Sequence, residues 1–309
     1  MDALSKIFDD IHLEKSEYFY VHLAHEHQFQ YVNEPSMLAY VLIQGQCQLQ
    51  LQHEHVQTLN QGDLIVLPSA TPHRIFSTLS ALTDCPNINN FFKQHAHETV
   101  SIGEPTEACC FMLVIRAKLD IHMAKPLLNA LPELLRVEHI LGDNAPEWLQ
   151  IGLHFLALER QSLKPGRDKI LDHLVSILLI ECVRDYIVNL PDAHNWLNAL
   201  SHPELSHALA ALHSRPEQAW TVESLAEQCC MSRSKFAQVF SQVVGEPPLA
   251  YLQKHRLRLA AQYLRDSNLS VQKIAHLVGY NSETAFSQSF KKHFGFSPSQ
   301  YRQISTQQI

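Results

Sequence analysis

The chain reads as an α+β multidomain protein: a β-rich front, a helical middle and an all-α tail. Three observations predict this. Short apolar or alternating runs broken by Gly and Pro fill residues 1–118. From Pro126 to about Leu212 the apolar period becomes helical. The last ninety residues contain one helical unit written twice, about fifty residues apart. The expected boundaries are 1–118, 119–206 and 207–309.

In the front part, Tyr18 to Leu23 alternates bulky and polar residues, and Ala39 to Ile43 reads as a buried strand ending at Gln44-Gly45. Cys47, Leu49 and Leu51 share one face, and Gln48, Gln50 and Gln52 the other. Asn60-Gln61-Gly62-Asp63 turns the chain into Leu64–Leu67. Thr78 to Glu107 reads as a polar insertion, and Cys110 to Ile115 as a closing strand. Many short strands of this kind suggest a sandwich or small barrel.

In the middle, Pro146-Glu147-Trp148-Leu149 starts a helix continued by Ile151, Phe155 and Leu158. A second, more apolar helix is lined by Ile170, Leu171, Leu174, Ile177, Leu178, Cys182 and Tyr186, and needs a partner in its own chain or in a second subunit.

In the duplicated tail, a shift of 49 aligns Thr221 with Ser270, and a shift of 50 aligns Phe236/Phe286, Gln238/Gln288, Phe240/Phe290, Gly245/Gly295, Pro248/Pro298 and Tyr251/Tyr301. Thr221 and Ser270 stand where N-caps belong, as do Ser232 and one of Asn281 or Ser282. Pro248 to Ser267 reads as one unbroken helix joining the copies. At 1.5 Å per residue it would span ~30 Å, close to one turn of B-DNA.

Charge separates front from tail. From His207 onward there are 11 Lys and Arg against 6 Asp and Glu, a net of +5, and the whole chain carries −7, so residues 1–206 carry −12. A basic tail behind an acidic front fits a sensor joined to a module that meets a polyanion. The longest strongly apolar stretch, Leu174 to Ile180, is too short to cross a bilayer, and Met1–Lys6 lacks a signal-peptide pattern, so a cytoplasmic location is expected. The seven cysteines have no framework spacing and are expected to be free thiols.

The segment Ile274-Ala275, Val278-Gly279-Tyr280, Ser282, Phe286-Ser287, Phe290-Lys291-Lys292, Phe294-Gly295, Ser297-Pro298, Tyr301-Arg302 closely resembles the signature of AraC/XylS-type transcription regulators. Gly62-Asp63, Leu67-Pro68 and Pro72-His73-Arg74 resemble, more weakly, the cupin-type sensor domain of many such regulators. The resemblance implies two helix-turn-helix units, with recognition residues on the second helix of each. By position these are Ser234, Lys235, Ala237 and Gln238, then Glu283, Thr284, Ser287 and Gln288. Short polar and amide side chains suit base edges, and Gln suits adenine. Gln238 and Gln288 stand where relatives often carry Arg. Lys235, Arg256, Arg258, Lys291 and Lys292 suit phosphates. Double-stranded promoter DNA, RNA polymerase, a small effector or oxidant and a second copy of the chain are the implied partners. No cofactor and no enzymatic activity are expected; the rival reading is a metal-dependent cupin enzyme with an accessory helical domain.

Two chemistries are open in the front part. His25, His27 and His73, with Glu34, imitate a cupin metal set, although the spacing to Gly45 departs from the usual pattern and Tyr40 stands where an inward His belongs. General richness in histidine, 20 residues in all, explains them as well. Met1–Ser5, Trp220–Ala226 and Phe236–Gln238 resemble a subgroup that includes regulators responsive to reactive chlorine. Cys109 or Cys110 would match one sensor thiol there, without a partner thiol before Cys47.

Overall fold

The computed structural model describes residues 3–11, 13–32, 36–51, 56–77, 84–95, 98–104, 108–138, 151, 165–189 and 197–306. Two compact units interleave along the chain: one holds Leu13–Ile121 and Leu127–Val188, the other Met1–His12, His122–Pro126 and Asn189–Ile309. Helix α1 (Ala3–Asp10) thus groups with the C-terminal helices and not with the strands that follow it.

The first unit is a curled sheet of strands β1 (Leu13–Ala24), β2 (Gln28–Tyr31), β3 (Met37–Leu51), β4 (Gln57–Asn60), β5 (Leu64–Leu67) and β6 (His73–Phe76). After helix α2 (Asn89–Gln94) come β7 (Thr99–Ile102) and β8 (Ala108–Leu119). Helix α3 (Ile121–Ala130), of which His122–Pro126 groups with the other unit, then β9 (Leu135–Val137) and the long helix α4 (Arg167–Val188) follow. The main path runs β2-β6-β3-β8-β1-β7, all antiparallel except β1 beside β7.

β3 organises the curl. Its first half pairs with β5 on one side and β8 on the other; its second half pairs with β4 and β6. The expected strand end at Gln44-Gly45 is corrected here: β3 runs straight through, with a register shift against β8 between Leu42 and Gln44. Gly45 has φ +82, and a Cβ there would lie 2.0 Å from the Cys109 carbonyl oxygen, so only glycine lets the two strands pass this closely. Phe19, Val21, Leu23, Phe29, Leu49 and Ile75 are among the side chains packed inside the curl. Tyr18 and Tyr20, which alternate with Phe19 and Val21 along β1, are buried too.

Residues 78–107 also depart from the loop reading. Their described part carries α2 and the parallel strand β7, and Phe92 of α2 packs on Phe19 at 4.7 Å between ring centres. Of the helix expected from Pro146, Ile151 is described and is helical but exposed; Phe155 and Leu158 lie outside the described residues, as do Glu34 and Gln52. Ile170 and Ile177 of α4 are exposed, while Val175, Leu178, Cys182 and Val183 are buried.

His73 shows why the front histidines are not interchangeable. Its Nδ1–H donates to the Thr71 carbonyl at 2.7 Å, which leaves Nε2 to accept from the Tyr40 hydroxyl at 2.7 Å. Burial lowers its pKa to about 4. Unfolded, the ring takes its proton near 6.5, so between these values the unfolded state binds more protons and stability falls as pH drops. The loss should reach roughly 3 kcal/mol at the acid end of that window. Urea midpoints of wild type and His73→Gln at pH 7 and 4.5 check this: the variant should lose less on acidification, and an equal loss would rule His73 out as the cause.

The second unit continues with α5 (Asn198–Ser201), α6 (Leu205–Ser214), α7 (Val222–Gln228), α8 (Arg233–Val244), α9 (Pro248–Asp266), α10 (Val271–Leu277), α11 (Glu283–Phe294) and α12 (Pro298–Thr306). Leu209, Leu212, Trp220, Leu225, Phe236 and Phe240 form one core with Tyr251 and Leu252 of α9. Arg265 at the far end of α9 donates to the Tyr301 hydroxyl at 3.0 Å, so the connecting helix serves both copies.

Candidate nucleic-acid interface

The repeat in sequence is a repeat in atoms. Thr221 and Ser270 cap α7 and α10 by accepting the backbone N–H of Ser224 and Lys273. Ser232 and Ser282 cap α8 and α11 in the same way, through Lys235 and Ala285, which settles the choice between Asn281 and Ser282. The connecting turns match as well. Met231 N–H donates to Ala226 at 2.9 Å in the first copy, and Tyr280 N–H to Ala275 at 2.8 Å in the second. Gly245 and Gly295 close α8 and α11, and the Phe236–Phe240 and Phe286–Phe290 rings sit 5.5 Å apart in both copies.

At the turn, Cys230 (φ 53) and Gly279 (φ 84) hold the same left-handed conformation one repeat apart. Gly279 has a second reason to lack a side chain: a Cβ there would lie 2.7 Å from both an Arg256 guanidinium nitrogen and the Glu217 carbonyl. Gly279→Ala should therefore cost about 1–3 kcal/mol, the range for a residue held in a disfavoured conformation. Thermal unfolding of the two proteins checks it, and an unchanged midpoint would show that the turn relaxes.

The phenylalanines fix which face of α8 and α11 points out. With Phe236 and Phe240 wholly buried, Ser234, Lys235 and Gln238 are exposed and Ala237 is half-buried. With Phe286 and Phe290 wholly buried, Glu283, Thr284 and Gln288 are exposed and Ser287 is half-buried. Glu283, Thr284, Ser287, Gln288 and Lys291, with Ser297, line one shallow open groove of about 330 Å³. Lys291 and Lys292 are exposed in the last turn of α11 and Glu283 in its first, the arrangement the helix dipole favours.

Two phosphate assignments are corrected. Arg256 spends its guanidinium inside the protein, Nε donating to the Pro216 carbonyl at 2.6 Å and a terminal nitrogen to that of Gln218 at 2.8 Å. Arg256 thereby braces the N-terminal half of α9 against Pro216 and Gln218 instead of facing solvent. Arg258 is half-buried with its Nε shut off from solvent, and burial holds its pKa below the usual arginine range. Conversely, Arg233 and Lys273 are exposed and were not anticipated; Arg233 follows the Ser232 cap and pairs with Glu223 at 2.9 Å across the turn. Adjacency to an N-cap was the available signal.

Among the described residues His25, His27 and His73 are not brought together as a ligand cluster. His25 is exposed, His27 Nδ1 lies 2.8 Å from the His25 carbonyl, and both nitrogens of His73 are engaged in the core. Cys109 is half-buried with its thiol 3.2 Å from the Leu23 carbonyl, while Cys110 is buried. The Cys109 thiol is held well above the usual range by its hydrogen bond with Cys110 and by burial. For Cys110 a hydrogen bond with Cys109 acts downward, but Cys47 and burial outweigh it and the net shift is upward. Thiols so placed keep their protons near neutrality and are poor nucleophiles.

Residues 2–188 match the cupin family and residues 225–304 the helix-turn-helix domain family. Over 306 residues, 99% of this chain and 100% of the relative, the sequence is 52% identical to the HTH-type transcriptional regulator AlkR of Acinetobacter baylyi. The chain belongs to the AraC family of DNA-binding transcription regulators. It is also 32% identical to the RCS-specific HTH-type transcriptional activator RclR of Escherichia coli, over 85% of this chain and 83% of that one. A putative AraC-like transcription regulator of Streptomyces lividans is 37% identical over 58% of this chain and 59% of its own. These relatives are named as regulators, and this AraC-family chain is a regulator with a cupin domain, not a cupin enzyme. Among the described residues no helix is long and apolar enough to cross a membrane.

Proposed function

We propose that this regulator reads promoter DNA with α8 and α11 in two successive major grooves, under control of a small effector that acts on the cupin domain. The observation that carries the reading is the matched exposure of Ser234/Thr284, Ala237/Ser287 and Gln238/Gln288 opposite two buried phenylalanine pairs. Gln238 and Gln288 would pair with adenine edges, flanked by Ser234, Lys235, Ala237, Glu283, Thr284 and Ser287. Lys291 and Lys292 would hold phosphates and fix the register. The connecting helix α9 has 19 residues, about 28 Å at 1.5 Å each, which supports a spacing near one turn of the duplex. A second copy of the chain and RNA polymerase complete the proposed assembly.

Fluorescence anisotropy of the full chain on a promoter fragment pulled down from its own genome, against a scrambled duplex, tests the reading. Gln238→Ala and Gln288→Ala should each lose about 1–3 kcal/mol on the promoter and little on the scrambled duplex. Lys291→Ala and Lys292→Ala should weaken both alike and lower the salt slope. Equal affinity of the wild-type chain for both duplexes at ~0.15 M salt would refute the assignment.

A further inference from the structure

Three side chains far apart in sequence meet within the second unit. Asp10 ends α1, His213 lies in the last turn of α6, and His255 sits mid-way along α9. His213 Nδ1 is 2.8 Å from Asp10 Oδ2, and His255 Nε2 is 3.8 Å from the same oxygen. One donor atom from each residue lies within 4.8 Å of the other two. Donors held tetrahedrally at ~2.1 Å from an ion stand roughly 3.4 Å apart, so the two measured separations bracket the value required.

His255 supplies the independent observation. It is 1% exposed, yet its Nε2 has no hydrogen-bond partner, a costly state for a buried polar atom that asks for a missing ligand. Burial and the neighbouring His213, Arg258 and Arg256 keep that ring neutral, the form that ligates metals. His213 is oriented from behind: its Nε2 lies 2.7 Å from the Tyr251 hydroxyl, so once Nδ1 is ligated, Nε2–H can donate to that oxygen. The space bounded by these three residues and Arg258 is about 10 Å³, close to the least that holds one water-sized particle. A wider cleft of about 540 Å³ shares Asp10 and His213 with it and provides an entry path. Arg258 opposes a dication electrostatically, and the Asp10 carboxylate offsets it.

We propose that Asp10, His213 and His255 form a binding site for one divalent transition ion of the zinc class, leaving a fourth position for water. Two imidazoles and a carboxylate suit that class. Occupancy fastens α1 to α6 and α9. The site is distinct from the front histidines His25, His27 and His73.

The test uses full-length protein stripped with chelator, without DNA, so its outcome is separate from that of the DNA-binding reading. Zn²⁺ is titrated against a chromophoric competitor, and Co²⁺ is added separately to look for the visible absorption of a tetrahedral centre. With 20 histidines in the chain, weak background binding is expected, so the comparison with variants decides. Wild type should hold one equivalent of Zn²⁺ at least ~10-fold more tightly than Asp10→Asn or His255→Gln, the scale lost even on removing outer-sphere partners. The Co²⁺ band should appear only in wild type, and Zn²⁺ should raise the melting temperature of wild type and not of Asp10→Asn. If circular dichroism shows His255→Gln unfolded, the conservative Asp10→Asn change at a partly exposed position decides alone. Equal binding by wild type and Asp10→Asn overturns the proposal, as does loss of the tight equivalent in His276→Ala, which would move the site into the wider cleft.

Discussion

Phe286→Ala is expected to cost about 3–5 kcal/mol and to unfold the second helix-turn-helix unit while sparing the first. Phe286 is wholly buried, 5.4 Å from the Tyr280 ring and 5.5 Å from Phe290, which in turn meets Tyr301 at 5.4 Å. Removing the ring leaves a cavity between α10 and α11, and those helices have few alternative contacts: α10 has 7 residues and α11 has 12. The first helix-turn-helix copy keeps its own core around Phe236, Phe240 and Trp220. Hydrogen exchange read peptide by peptide separates the outcomes: Val271–Leu277 and Glu283–Phe294 should deprotect while Val222–Gln228 and Arg233–Val244 stay protected. Equal deprotection of both would mean that the copies fold as one cooperative block. On DNA, the variant should retain only the contacts of α8 and lose promoter preference.

That asymmetry follows from features readable in the sequence, because each has a local physical cause. A hydroxyl three residues before an orphan N–H, two phenylalanines one turn apart and a glycine closing a helix are short-range demands, and they recur at Thr221/Ser270, Phe236/Phe286 and Gly245/Gly295. Burial of the phenylalanines then determines that Gln238 and Gln288 face outward. What escaped reading depends on distant partners. Arg256 and Arg258 look like solvated charges on a helix until the carbonyls of Pro216 and Gln218 are brought beside Arg256. The passage of β3 through Gly45 is decided by the Cys109 carbonyl on another strand. β9 is three residues long, too short to show a period, and is held partly by Arg136 pairing with Asp63 at 2.7 Å. Asp10 and His213 lie 203 positions apart, and no spacing rule joins them.

The same long-range dependence makes Glu17 a sensitive position in the cupin domain. Arg116 on β8 is 2% exposed; its Nε donates to Glu17 Oε2 at 3.0 Å, and a terminal nitrogen donates to the same oxygen. Its other terminal nitrogen reaches Asn89 Oδ1 at 3.3 Å, and the guanidinium lies 4.2 Å from the centre of the Phe92 ring. Glu17→Ala would take one carboxylate away from that buried cation, at a cost of about 3–5 kcal/mol. Desolvating both ions is itself expensive, so the double change Glu17→Leu with Arg116→Met should recover most of the loss. Urea unfolding followed by circular dichroism reads both: the midpoint of the front-domain transition should fall in the single variant, with little change in slope, and return in the double. A single variant as stable as wild type would mean that water or Asn89 already satisfies Arg116. A double variant no better than the single would place the energy in the shape of the pocket between β1, β8 and α2, and not in the charge.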